Sequence, residues 1–358
     1  MVKKALYIGL ELSGIPKTGG EYVQLQNRKI LKEIIDYVDI FEIPKIGISL
    51  HAINVLRGKS YGYTKKLKNK LDTYLKNEYG IVFIESTVYG GLVKYVRDRG
   101  FKTIVFCHNV EYEYYKAKYE SKKTMMNKIL VSYIKRQERL SLESATGVIA
   151  LNFRDSDGIE KLYNRSADVI LPIFYEQIKL EKLLPKATSE SYLLFVGANF
   201  FANTDGICWF IENVSNYINR KLYVAGGCCS TIVKTLDMSK YHNVKLLGYV
   251  DDLDAAYINA SGVVCPIFAG SGMKTKTIEA LKYGKTIFGT IEAFEGISID
   301  FEKVGGLCNT AKEFINSINN RESSVFNEYS YDFFVNNLSK EAIFPKFQEF
   351  INRVYVMN

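Results

Sequence analysis

Short apolar runs alternate with segments of helical period along almost the whole of this 358-residue chain. That rhythm admits few folds. A strand followed by a helix and then another strand in one sheet gives parallel βα units, and strands buried on both faces read as continuous apolar runs. Strands are expected at residues 5–9, 38–43, 81–85, 103–108, 147–151 and 167–171. A second series is expected at 192–197, 221–225, 244–249, 262–267 and 286–290. A helix is expected over 21–35, and the tail from 331 to 354 reads as one helix. The fold class is therefore α/β with two Rossmann-like lobes. The first covers 1–172, a connection spans 173–190, the second covers 191–330, and a C-terminal helix at 331–358 is expected to pack back toward the first. Ligands of open α/β sheets sit beyond the carboxyl ends of the strands, so chemistry is sought in the loops after strands.

Several classes fall away. No stretch approaches the ~18 apolar residues a spanning helix needs. Glu11 cuts short the first apolar run, which reads as a buried strand rather than a signal peptide, so a cytoplasmic protein is expected. The six cysteines lie mostly inside apolar runs and fit neither a zinc pair nor a disulfide framework. The pair Asp252 and Asp254 opens a helix, where acids favour the dipole, and no metal is expected there. No G-x-G-x-x-G follows the first strand, which disfavours a dinucleotide-dependent oxidoreductase. The net charge of +8 is uneven: residues 1–180 hold 30 Lys and Arg against 20 Asp and Glu. One lobe is thus suited to an anionic partner.

The most informative segment is Pro266-Ile-Phe-Ala-Gly-Ser-Gly-Met-Lys-Thr-Lys-Thr-Ile-Glu-Ala-Leu-Lys-Tyr-Gly284. A buried strand runs into Gly270-Ser271-Gly272, and a helix begins near Thr275. Glycines let backbone N–H groups approach an anion, and a helix N-terminus adds unpaired donors and partial positive charge. Lys274 and Lys276 add full charges, and Glu279 one turn on could accept ribose hydroxyls. By the residues alone this is either a diphosphate site or a capped helix with solvated lysines.

The segment resembles the nucleotide-binding signature of family 4 glycosyltransferases, in the subgroup with a Gly-Ser-Gly-Met-Lys-x-Lys loop before Glu-Ala-Leu. Leu194-Phe-Val-Gly197, Asn203, Trp209-Phe-Ile-Glu-Asn-Val214, Leu222-Tyr-Val-Ala-Gly-Gly227 and Val244-Lys-Leu-Leu-Gly-Tyr-Val250 agree with it in order and spacing. The resemblance implies the GT-B fold with an interlobe cleft, and a retaining hexosyltransferase-type enzyme. Transfer would run from a nucleotide-diphosphate sugar to a saccharide, as in surface polysaccharide or glycolipid synthesis. It favours a uridine donor over guanosine or thymidine, and neither metal nor cofactor is expected. It implies donor contacts at Gly270, Ser271, Gly272, Met273, Lys274, Thr275, Lys276 and Glu279, with Lys274 facing the diphosphate. The family carries two glutamates eight positions apart; Glu279 matches the second, whereas Ser271 stands where the first is expected. The loop 197–203 also lacks the arginine many members carry.

Two pieces of the first half are similar to the same family. Cys107-His108-Asn109-Val110-Glu111 follows an apolar strand, which places an imidazole at a strand's carboxyl end, able to bond a sugar hydroxyl or handle a proton. The resemblance implies that His108 faces the donor sugar, with Asn109 and Glu111 beside it toward the acceptor. Thr18-Gly19-Gly20 precedes a helix and suits close approach of the donor. His51 and His242 read as structural or surface residues. Between 112 and 140, eight lysines and arginines stand against Glu113, Glu120 and Glu138, with Met125, Met126, Ile129, Leu130 and Tyr133 interleaved. That pattern is either a solvated amphipathic helix or a docking face for an anionic membrane carrying a lipid-linked acceptor, which would make the protein peripheral at the membrane's inner face. Nothing points to nucleic acid. Two alternatives remain: a sugar-nucleotide epimerase, for which no carboxylate set is evident, and a non-catalytic subunit that keeps the fold.

Overall fold

A computed structural model describes residues 2–12, 14, 19–183, 191–270 and 272–357. The chain divides into two compact units, Met1–Pro172 with Phe344–Asn358, and Ile173–Ile343.

The first unit holds strands β1 (Lys4–Leu10), β2 (Tyr37–Ile43), β3 (Ile81–Ile84), β4 (Thr103–Cys107), β5 (Gly147–Ala150) and β6 (Val169–Ile170). They form one parallel sheet in the order β2-β1-β3-β4-β5-β6. Helices α1 (Gly19–Ile34), α2 (Ile48–Leu56), α3 (Lys65–Tyr74), α4 (Gly90–Arg97), α5 (Glu111–Ser121), α6 (Met125–Ser144) and α7 (Phe153–Tyr163) lie between them. The interior strands are buried along their length, which is why they read as unbroken Ile/Val/Phe runs. Leu6, Ile8, Phe41, Val82, Ile84, Val93, Val96 and Val105 form one core cluster. From the tail of the chain, Phe347 meets Phe83 edge-on, with ring centroids 6.4 Å apart.

The second unit repeats the plan with β7 (Tyr192–Val196), β8 (Lys221–Ala225), β9 (Val244–Gly248), β10 (Gly262–Cys265), β11 (Ile287–Gly289) and β12 (Gly305–Leu307). These pair in parallel in the order β12-β11-β10-β7-β8-β9. Its helices are α8 (Phe201–Asn213), α9 (Cys229–Thr235), α10 (Leu253–Asn259), α11 (Thr275–Lys282), α12 (Phe301–Val304), α13 (Ala311–Asn320) and α14 (Glu328–Asn337). Helix α15 (Lys340–Val356) follows, and from Phe344 onward its residues belong to the first unit.

Three features differ from the sequence reading. Strand β12, whose residues are Gly-Gly-Leu, was not expected; it exists because its backbone pairs with β11, not through any apolar pattern. The expected single tail helix is two helices. The break falls at Leu338-Ser339, where Tyr175 forms an isolated bridge with Ser339, donates from its N–H to the Leu338 carbonyl and accepts from the Lys340 N–H. Those bonds divert backbone groups that an unbroken helix would use. Glu138 is not on a solvated basic face but fully buried. Its carboxylate accepts from the N–H groups of Glu111 (2.9 Å) and Tyr112 (3.1 Å) at the start of α5 and from the hydroxyls of Thr87 and Tyr163. All six cysteines are buried and unpaired. Asp252 caps α10 by accepting from the Ala255 N–H, and Asp254 accepts from the Tyr283 hydroxyl.

Helix α8 approaches the β10 loop at Gly206, where an added Cβ would lie 1.8 Å from the Pro266 carbonyl oxygen. Backbone on both sides leaves no flexible atom to yield. Gly206→Ala is therefore expected to cost about 1–3 kcal/mol, or about 2–4 °C of melting temperature per kcal/mol. A thermal melt checks it, and an unchanged melting temperature would refute this packing.

Candidate functional site

In an open parallel sheet the crevice opens where the strand order reverses. In the second unit β7 is flanked by β8 and β10, so the reversal lies at the carboxyl ends of β7 and β10. The loop after β10 is the segment singled out from the sequence. Gly270 (φ 144°) and Gly272 (φ 71°) take backbone conformations that other residues rarely adopt. Lys274 is the N-cap of α11 and its side chain makes no cap bond. Its ammonium instead donates to the Gly272 carbonyl (2.7 Å) and to Glu292 (2.7 Å), so the cation is already paired. Met273 is buried, and Thr275 is half-buried on the first turn of α11. Ser271 lies outside the described residues.

Lys276 is half-buried, bonds the Asn203 side-chain oxygen and lies 4.5 Å from the centroid of the Phe195 ring. Burial lowers its pKa to about 8. An arriving polyanion would stabilise the charged form there more than water does. Glu279 accepts from two tyrosines, Tyr175 (3.0 Å) and Tyr257 (3.2 Å), one on each carboxylate oxygen. Burial raises its pKa, against the lowering effect of those hydrogen bonds and of Lys282 and Lys276.

In the first unit β1 is flanked by β2 and β3, so the reversal lies at the carboxyl ends of β1 and β3. His108 directly follows β4, the next strand over. Its Nε2 is 3.0 Å from Glu85 Oε1, and 16% of its side-chain surface is exposed. Burial would lower the ring's pKa, but hydrogen bonding with Glu85 and the charges of Glu85 and Glu111 outweigh it, and the net shift is upward. Asn109 is half-buried, and its carbonyl faces the Cys107 thiol at 3.0 Å. Glu111 opens α5, and burial together with the nearby Glu138 pushes its pKa up to about 7. Gly19 and Gly20 are exposed and form the first residues of α1; Thr18 lies outside the described residues. His51 packs against Tyr61 with its ring tilted, centroids 5.2 Å apart, and meets Tyr133 edge-on at 6.4 Å.

Sequence reasoning missed Glu85, Glu292, Tyr175 and Tyr257. For Glu85 the signal was present: it ends the apolar run at 81–85, the same placement that singled out His108. The partners of Lys274 and Glu279 come from remote segments and left no local trace. Among the described residues, no group of three or more His, Cys, Asp or Glu is placed to hold a metal, and no helix is long and apolar enough to cross a membrane.

Glu111 carries a pH signature. Its proton is held more tightly in the folded chain than in the unfolded one, whose value is near 4.5. As pH rises from about 4.5 to about 7 the unfolded chain releases that proton first, so stability falls through this window. Glu111→Gln removes the effect. The variant is expected to gain on the parent by up to about 3 kcal/mol between pH 4.5 and 8. Denaturant melts at the two pH values measure it, and a constant difference would show that Glu111 is not perturbed.

Residues 190–320 match the family model described as glycosyl transferases group 1. No curated protein matches the chain. Among solved structures, the sucrose-phosphate synthase of Thermosynechococcus elongatus is similar with a TM-score of 0.72 at 14% identity, over 99% of both chains. WaaG, a glycosyltransferase involved in lipopolysaccharide biosynthesis, gives 0.67 at 12% identity, over 97% of this chain and 99% of its own. HepE of Anabaena, solved with UDP and glucose, gives 0.64 at 11% identity, over 98% and 100%. The fold is thus GT-B, with two Rossmann-like units, and the segment that matches the group 1 glycosyltransferase model lies in the second unit.

Proposed function

We propose that the chain is a retaining glycosyltransferase of family 4 that moves a hexose from a nucleotide diphosphate to a saccharide acceptor. The observation that carries the reading is the loop 266–276. It lies inside the segment that matches the group 1 model and at the strand-order reversal of its sheet, with two lysines at a helix N-terminus. The leaving diphosphate would take the N–H groups of α11 and the ammonium groups of Lys274 and Lys276, which meet charge as it develops on the phosphate. Lys274 would then exchange its bond to Glu292 for one to phosphate. Glu279 would accept the ribose hydroxyls. His108 would hold a hydroxyl of the transferred sugar, and the departing phosphate would help take the acceptor's proton, so no carboxylate nucleophile is required. UDP is the preferred leaving group, in keeping with the UDP bound by HepE.

The test is a thermal-shift screen against UDP, GDP, dTDP, ADP and NAD. A ligand that binds only the native state raises the melting temperature by mass action. A shift with UDP is expected, and it should shrink in Lys274→Ala and Glu279→Ala, each by about 1–3 kcal/mol of binding, the range for a lost charged hydrogen bond. A shift with NAD alone would overturn the reading. Normal UDP binding by both variants would misplace the site.

The acceptor is proposed to be lipid-linked and presented on an anionic membrane that the first unit touches through residues 112–140. Lys116, Lys118, Lys122, Lys123 and Lys128 are exposed along α5, α6 and the turn between them. Met125 is 73% exposed and Met126 49%, so apolar side chains stand among the cations. Each lysine near an anionic surface contributes about 1 kcal/mol. The chain should sediment with vesicles rich in phosphatidylglycerol and not with phosphatidylcholine alone. Lys122→Glu with Lys123→Glu should abolish that, as should high salt. Equal binding to neutral vesicles, or none to anionic ones, would refute the docking face.

A further inference from the structure

The strongest unassigned feature is the carboxylate of Glu85. It is 2% exposed and stands one residue beyond β3, where its N–H extends the ladder by donating to the Ile8 carbonyl at 2.9 Å. That is the point of strand-order reversal in the first sheet. Three side chains from three elements converge on it. The Tyr7 hydroxyl of β1 donates to Oε2, while Asn27 of α1 (2.9 Å) and His108 Nε2 (3.0 Å) both lie on Oε1. Tyr7 is itself under Arg28, whose guanidinium carbon lies 5.1 Å from the ring centroid. The His108 ring also meets Phe106, tilted, with centroids 4.8 Å apart. A buried acid satisfied this fully contributes little as a lone packing residue, since an apolar side chain would fill the space without desolvating a charge. What the arrangement does provide is a fixed imidazole. A carboxylate only accepts, so Nε2 must carry the proton, and the ring cannot flip without breaking the contact.

We propose that Glu85 is the positioning residue of His108: its carboxylate holds the imidazole by Nε2 at the carboxyl edge of the first sheet, and it serves sugar transfer through His108 alone. The proposal rests on the reading of His108 as the residue that meets the donor sugar. The charges that bear on the ring are those of Glu85 beyond β3 and Glu111 of α5. Tyr7 of β1, itself beside Arg28 of α1, bonds Glu85 rather than the ring, and Glu138 of α6 acts on Glu111. Of these, Glu85 is the one in hydrogen-bond contact with the ring, and its effect on the imidazolium is stabilising.

The chain has three histidines, so ring C2–H signals can be titrated by NMR in the full-length protein, with His108 identified by its loss in His108→Asn. In Glu85→Gln the His108 titration is expected to fall by about one unit. Transfer is expected to slow by about 10²-fold in kcat, with donor KM little changed. In a His108→Asn background the same substitution should cost no further rate. An unmoved titration would overturn the positioning contact, as would an undiminished rate loss in the His108→Asn background. Full activity of His108→Asn would instead overturn the reading of His108 itself. If Glu85→Gln does not fold, Glu85→Asp withdraws the carboxylate by one methylene and is read by the same titration, with a smaller fall expected and an unmoved signal again decisive against the contact.

Discussion

Every strand in both sheets runs parallel to its neighbours, and the sites follow from that constraint. Parallel pairing forces a helical crossover after each strand and sends all carboxyl ends to one edge. Residues that follow strands are thereby gathered: Glu85 and His108 beyond β3 and β4, and the glycine loop beyond β10. The strands themselves are spent on the core, since both their faces are covered. Chemistry can enter only where the apolar runs stop.

Perturbed ionisable groups occur at both edges of these sheets, so perturbation alone does not mark a site. Lys285 is fully buried and its pKa is lowered to about 7 by burial. It stands just before β11, at the amino edge, and donates to the carbonyls of Ile258, Ala260 and Val325. Three acceptors saturate an ammonium. Lys285 is therefore a cross-link between the carboxyl end of α10 and the segment at Val325. Lys276 feels the same desolvation but stands at the carboxyl edge, with Asn203 as its side-chain acceptor and an aromatic face beneath it. The contrast between Glu138 and Glu111 is similar. Burial raises the pKa of both. Glu138 takes two backbone N–H groups and two hydroxyls that oppose the rise, and so anchors α5, whereas Glu111 also meets Glu138 as a like charge. Position at the edge and spare bonding capacity together distinguish the functional candidates.

What was legible in the sequence follows the same physics. Doubly buried strands announce themselves because every position must be apolar, and so β1, β3, β4, β7 and β10 were readable to within a residue or two. Strand β12 was not, because Gly-Gly-Leu carries no pattern and only its partner makes it a strand. The glycine loop stood out because its signal, glycines and lysines between an apolar run and a helix, is local in sequence. Glu138 was misread because charge in a helix is usually solvated, and its burial depends on α5 presenting bare N–H groups to it. Glu85 was passed over although it ended a recognised strand: a carboxylate there is as well placed as an imidazole.

Glu279 shows how far a motif can be read without its support. The sequence offers a glutamate one turn into a helix, at a spacing suited to a ribose. The structure adds Tyr175, 104 positions earlier, and Tyr257, 22 positions earlier, each donating to a different oxygen. A lone carboxylate enclosed in protein would tend to keep its proton and lose its value as an acceptor. Two phenol donors oppose that tendency, and each oxygen retains a second lone pair for a ligand hydroxyl. Tyr175 in turn is fixed by the backbone bridge that breaks the tail helix at Ser339. The interruption of that helix, which looks like an irregularity of the tail, is thereby tied to the orientation of the acid in the candidate nucleotide site.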